Sequence, residues 1–181
     1  MRLLMLLLFP FTTIAQDSLL TYTEVVELPG QTKEQLFVKA RRWFTNTFRD
    51  SKEVLEINDK ETGELSGKGI VKSRWHYKQF GKREAYPATV VFHISICVKD
   101  GKYKYEITRL EAKNKINNSA ASKDFGLLTT SAVSPVKWPG VSQKKMNEVW
   151  NDLKIETAKE IEGLIAGMKS SIAAKKSPSD F

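Results

Sequence analysis

From Ala88 to Val98 the chain alternates without a break. Ala88, Val90, Phe92, Ile94, Ile96 and Val98 point one way, and Thr89, Val91, His93, Ser95 and Cys97 the other. Side chains of a strand alternate between its faces, so a period of two this long describes a strand with one face in a core and one toward water. Asp100-Gly101 then supplies a hairpin turn. Beyond it Tyr103, Tyr105 and Ile107 oppose Lys102, Lys104, Glu106 and Thr108. Upstream, Leu65, Gly67, Gly69, Val71, Ser73 and Trp75 share one face, and Lys68, Ile70, Lys72, Arg74 and His76 the other. A charged tip, Phe80-Gly81-Lys82-Arg83, separates those two runs. Val54 to Asp59, joined through Glu61-Thr62-Gly63-Glu64, adds a further strand. Four strands linked by short turns make an antiparallel meander with one apolar face.

That face needs a cover, and two segments have the period to supply one. Thr32 and Gln35 form a T-x-x-Q capping box. Behind it Leu36, Phe37, Ala40, Trp43, Phe44, Thr47 and Phe48 lie on one broad stripe of a helix. Such an aromatic stripe is core, and Trp43 is its expected anchor against the sheet. A short β-rich run, Tyr22 to Leu28, precedes it and stops at Pro29-Gly30. At the other end Ser142 is an N-cap, and Met146, Val149, Trp150, Leu153, Thr157, Ile161, Leu164, Ile165 and Met168 follow helical spacing. The expected fold class is α+β, an antiparallel sheet with two helices on one face, in the order β-α-β-β-β-β-α.

The N-terminus reads as a secretory leader: Arg2, the apolar run Leu3 to Phe9, and the small-x-small site Thr13-Ile14-Ala15. Pro10 and Gln16-Asp17 stop the run short of the roughly 20 apolar residues that a membrane-spanning helix needs. The expected organisation is a signal peptide over 1–15, one α+β domain over 16–174, and a polar tail over 175–181. Within the domain a β-α-β4 core covers 22–111, a long irregular segment 112–141, and a closing helix 142–174. That segment either covers the domain edge or serves as a binding loop. The expected location is exported, periplasmic or secreted, with no membrane span in the mature protein. Cys97 is the single cysteine, so no disulfide forms within the chain. The formal charge of +8 draws anionic partners.

Three stretches carry a resemblance. V-V-E-L-P-G (Val25 to Gly30), R-R-W-F (Arg41 to Phe44) and I-N-D-K-E-T-G-E-L-S-G-K-G (Ile57 to Gly69) are similar to an exported bacterial family known as domain of unknown function 4468. The similarity spans residues 22–111. It implies a TATA-box-binding-protein-like (TBP-like) fold with a closing helix. The family has no established catalytic residues to carry over, and a shared fold implies nothing about DNA, because function belongs to sites.

No catalytic motif is present. Gly67-Lys68-Gly69 lacks the context of a phosphate loop and lies in a strand, where glycine permits close packing of an aromatic ring, Trp43 being the expected partner. His93 and Cys97 share a strand face but stand ~13 Å apart at ~3.3 Å per residue, too far for a nucleophile–base pair, and His76 has no register fixed by sequence. Two histidines and one cysteine make a poor zinc set. Asp59, Glu61 and Glu64 at a hairpin are solvated charges. No cofactor and no metal is expected. The sign bias of the outward sheet face stands out: Lys68, Lys72, Arg74, Lys102 and Lys104, with His76, His93 and Ile70 among them. The functional expectation is a non-enzymatic cell-envelope module binding an anionic ligand, lipid headgroup, polysaccharide or envelope protein through that face, and not nucleic acid. The alternatives are a small envelope hydrolase with a pocket between sheet, loop 112–141 and closing helix, or a purely structural assembly module.

Overall fold

The computed structural model describes residues 17–48, 55–114 and 124–174. The expected leader over 1–15 and the tail over 175–181 lie outside the described residues. In chain order the elements are β1 (Tyr22–Glu27), α1 (Lys33–Thr47), β2 (Leu55–Asp59), β3 (Glu64–Gln79), β4 (Lys82–Lys99), β5 (Lys102–Asn114), β6 (Gly126–Leu127) and α2 (Gln143–Ala173). The sheet is antiparallel in the order β1-β5-β4-β3-β2, and the short β6 also pairs with β5. The meander stands as its alternation required, and the first strand returns to its far edge beside β5.

The turn residues set this geometry. Gly101, at a φ of 73°, closes the β4–β5 hairpin, and the same hairpin holds the start of α1. The Lys33 backbone N–H donates to Asp100 Oδ1 at 2.7 Å, and the Gly101 N–H donates to the Gln31 carbonyl at 2.9 Å. A carboxylate at a helix N-terminus satisfies an orphan N–H and complements the helix dipole. Both arms of the Thr32–Gln35 capping box are formed. α1 then buries Leu36, Phe37, Ala40, Trp43 and Phe44, and Trp43 meets Phe44 and Phe48 edge to face.

Two departures from the sequence reading, in β5 and over Gly69, have local causes. β5 continues to Asn114, past the expected start of the irregular segment at 112. The pairing passes from His93↔Thr108 to Val91↔Glu111, so β5 carries an extra residue there, and Arg109 adopts a φ of 53°. This bulge resets the alternation, so Leu110 and Ala112 point inward while Lys113 stays exposed. Segment 124–141 in turn packs on the domain edge. Phe125 and Leu128 are buried, and Leu128 N–H donates to the Leu110 carbonyl at 2.8 Å. Finally, the ring over Gly69 belongs to its cross-strand neighbour Phe92, with Phe48 beside it, and not to Trp43. A Cβ on Gly69 would overlap the Phe92 ring, which explains glycine at this position better than any turn requirement.

Both helices cover the face carrying Trp75, Val90, Phe92, Ile94 and Ile96. α2 lies along β3 and touches α1. Beneath it a ring cluster fills the space between sheet, segment 124–141 and α2. Trp75 stacks on Tyr86 at 4.5 Å, and Phe125, Trp138 and Trp150 close the group. Polar contacts in this layer join Ser73 Oγ and Thr157 Oγ1 at 3.0 Å, and the Trp150 Nε1–H to the Ser131 carbonyl at 2.9 Å.

Candidate functional site

The face turned away from the helices is a grid whose rows are set by register. One row runs Lys72, Thr89, Lys113 across β3, β4 and β5. The next holds Ile70, Val91, Glu111 and Leu127, and the one after it Lys68, His93 and Thr108. Near the β4–β5 hairpin Glu64, Cys97, Lys104 and Val25 line up. The five basic residues singled out by sequence therefore share a face without forming one patch. β4 lies between the two sets, and the Lys72 and Lys104 rows are about 26 Å apart along it, eight residues at ~3.3 Å each.

Acidic neighbours answer four of the five. Lys68 Nζ is 3.0 Å from Glu56 Oε1, Arg74 Nε 3.7 Å from Glu156, Lys102 Nζ 4.0 Å from Glu27, and Lys104 Nζ 3.5 Å from Glu106. The Lys68 hydrogen bond holds the Glu56 carboxyl below its ordinary range, helped by the charge of His93, whose Nδ1 lies 3.7 Å from the same group. Lys72 has no ion pair among the described residues, and neither has Lys113. Thr89, between them, has its Oγ1 shut off from solvent with no hydrogen-bond partner. Ile70, one row down, is 60% exposed. Lys113 was not read as part of this face because the bulge at Arg109 hides its phase. The pattern Leu110, Glu111, Ala112, Lys113 does alternate once that slip is allowed.

The groups that invited a catalytic reading lie apart. His76 pairs with Ala85 on the ribbon end of β3, far from Cys97 opposite Glu64. Desolvation, with Glu64 next, pushes the Cys97 thiol above its usual range, which disfavours the thiolate that nucleophilic chemistry needs. Asp152 on α2 does hold His76 Nδ1 at 2.8 Å, as an orienting carboxylate would. The same oxygen accepts the His76 backbone N–H at 2.8 Å, and its other oxygen accepts from Arg83 at 2.9 Å. Asp152 thereby caps an edge of β3 that no strand among the described residues pairs. Among the described residues no group of three His, Cys, Asp or Glu side chains could hold a metal ion, and no helix is long and apolar enough to cross a membrane. A shallow groove of about 470 Å³ beside α1 is lined by Phe37, Val38, Arg41, Arg42, Thr45 and Lys60.

One antiparallel sheet with two helices over one face and the other face open places the protein in the TBP-like class of α+β folds. The chain belongs to the family described as domain of unknown function (DUF4468) with TBP-like fold, whose model matches residues 22–113. No function is assigned to that family. A DUF4468 family protein from Bacteroides ovatus superposes with a TM-score of 0.61 at 11% identity, covering 86% of this chain and 87% of that one. A TBP-like protein from Parabacteroides distasonis gives a TM-score of 0.47 at 12% identity, over 83% of this chain and 93% of that one. No curated protein matches the sequence. At 11% identity the likeness to the Bacteroides ovatus protein is one of fold alone.

Proposed function

We propose that the protein is a non-enzymatic module of the bacterial cell envelope whose open sheet face binds an anionic partner. The envelope location rests on the leader-like Met1 to Ala15. The observation that carries the binding reading is the row Lys72, Thr89, Lys113: two exposed cations without carboxylate partners among the described residues, flanking a hydroxyl with no partner of its own. An anionic group set over Thr89 would meet both ammonium groups, with Ile70 offering apolar contact beside them. Lys68, Arg74, Lys102 and Lys104 stay on the face but are already neutralised locally, so they contribute less than their number suggests.

The test is a titration with a soluble acidic polysaccharide at low and physiological salt, comparing wild type with Lys72→Gln/Lys113→Gln and with Lys102→Gln/Lys104→Gln. Exposed charge pairs are worth at most about fivefold each, and screening shortens to ~8 Å at physiological ionic strength. The first variant is expected to weaken binding several-fold at low salt, and the second to change it little. Equal binding by wild type and Lys72→Gln/Lys113→Gln, or binding indifferent to salt, refutes the reading.

A further inference from the structure

Among the described residues the β3–β4 hairpin outruns the rest of the sheet. β2 leaves β3 at Gly67, and the last β4–β5 pair is Ala88↔Asn114. Arg74–Gln79 and Lys82–Pro87 therefore continue as a two-stranded ribbon, held at one edge by Asp152 of α2. Its turn has both central residues at positive φ, Phe80 at 49° and Gly81 at 78°. That geometry suits Asn-Gly, because a bulky side chain there crowds its own backbone. Phe80 nonetheless occupies the first position, and it is 94% exposed. Among the described residues Arg109, in the bulge of β5, is the other non-glycine residue at positive φ. Neither packing within the chain nor turn chemistry accounts for a phenylalanine at this place. Lys78 and Lys82 stand exposed on either side of the turn, without ion pairs among the described residues, and Arg83 follows, still 61% exposed at its side chain while bridging to Asp152.

We infer that the tip of this ribbon is a docking prong for an anionic membrane surface, Phe80 entering the boundary between headgroups and acyl chains while Lys78 and Lys82 meet the lipid phosphates. The charge complementarity is specific to such a surface: one apolar ring at the apex of a convex tip, with flexible ammonium groups set back from it. This prong is separate from the Lys72–Lys113 row, and either can fail without the other.

The full mature chain is sedimented with phosphatidylcholine vesicles containing or lacking phosphatidylglycerol. Wild type is expected to bind only those with phosphatidylglycerol. Phe80→Asn suits the turn at least as well as the native residue, so unchanged or raised thermal stability shows that it folds. It is expected to lose roughly tenfold or more in affinity, the value of burying one such ring. Lys78→Gln and Lys82→Gln are expected to lose about fivefold each, and Phe80→Trp to retain binding. Lys60→Gln/Lys99→Gln, exposed at the opposite end of the sheet and outside both sites, serves as the control and keeps wild-type vesicle affinity. Failure of the wild type to bind the vesicles overturns the inference, even if the tip captures a protein. So does a folded Phe80→Asn that binds as well as wild type, or a control that weakens as much as Phe80→Asn does.

Discussion

Gly69→Ala tests the packing of this sheet most sharply, because two general effects oppose each other there. In the interior of a strand alanine should be about 0.5–1 kcal/mol better than glycine, which loses more backbone freedom on folding. Here, however, Gly69 sits directly opposite Phe92, whose ring lies across it. A Cβ at Gly69 would stand 2.5 Å from Phe92 Cε2 and 2.9 Å from Phe48 Cε1. Phe92 is fully buried and cannot swing into solvent. Overpacking of this kind costs about 1–3 kcal/mol, so the net change is a loss of about 1–2 kcal/mol. Urea denaturation of wild type, Gly69→Ala, Phe92→Leu and the double variant resolves the two effects. Removing the ring removes the overlap, so in the Phe92→Leu background alanine should become neutral or stabilising, a coupling of about 1–3 kcal/mol. If Gly69→Ala is as stable as wild type, or the two substitutions simply add, the ring does not require the glycine and the argument fails.

Trp43→Ala should cost about 3–5 kcal/mol in the same assay, as for other buried large aromatics. Trp43 is 5% exposed and packs against Phe44 and Phe48, so a loss below about 1 kcal/mol would mean that α1 presents another face. Tyr103 and Tyr105 titrate late. Burial pushes Tyr103 up to about 12, with the charge of Glu24 adding to it. Tyr105 is also pushed up to about 12 by burial first, then by its hydrogen bond to Glu24. With folded values above the ordinary 10.0, the stability these groups contribute is complete below pH 10 and lost as the pH rises toward about 12. An ultraviolet tyrosine titration of native against urea-unfolded protein checks this, and coincident curves would refute it.

Local chemistry was enough for most of the scaffold. The alternation from Ala88 to Val98, the Asp100-Gly101 turn, the Thr32–Gln35 capping box and the stripe from Leu36 to Phe48 each involve residues a few positions apart. Their meaning does not depend on distant chain, and each element formed as its period required. Strand boundaries were legible until the alternation slipped. At Arg109 one extra residue hid the last turn of β5, and with it Lys113, because a single-residue bulge looks in sequence like the end of a strand. The surface that could bind something was decided elsewhere. Register across β4 set Lys72 beside Lys113 and far from Lys104, and it brought Phe92 over Gly69 where Trp43 had been expected. Ion pairs from Glu56, Glu156, Glu27 and Glu106 then neutralised four of the five cations that the alternation had placed on that face. Alternation determines which face a side chain takes, while its neighbours on that face come from pairings between residues tens of positions apart. Those pairings are made only when the whole sheet closes under its two helices.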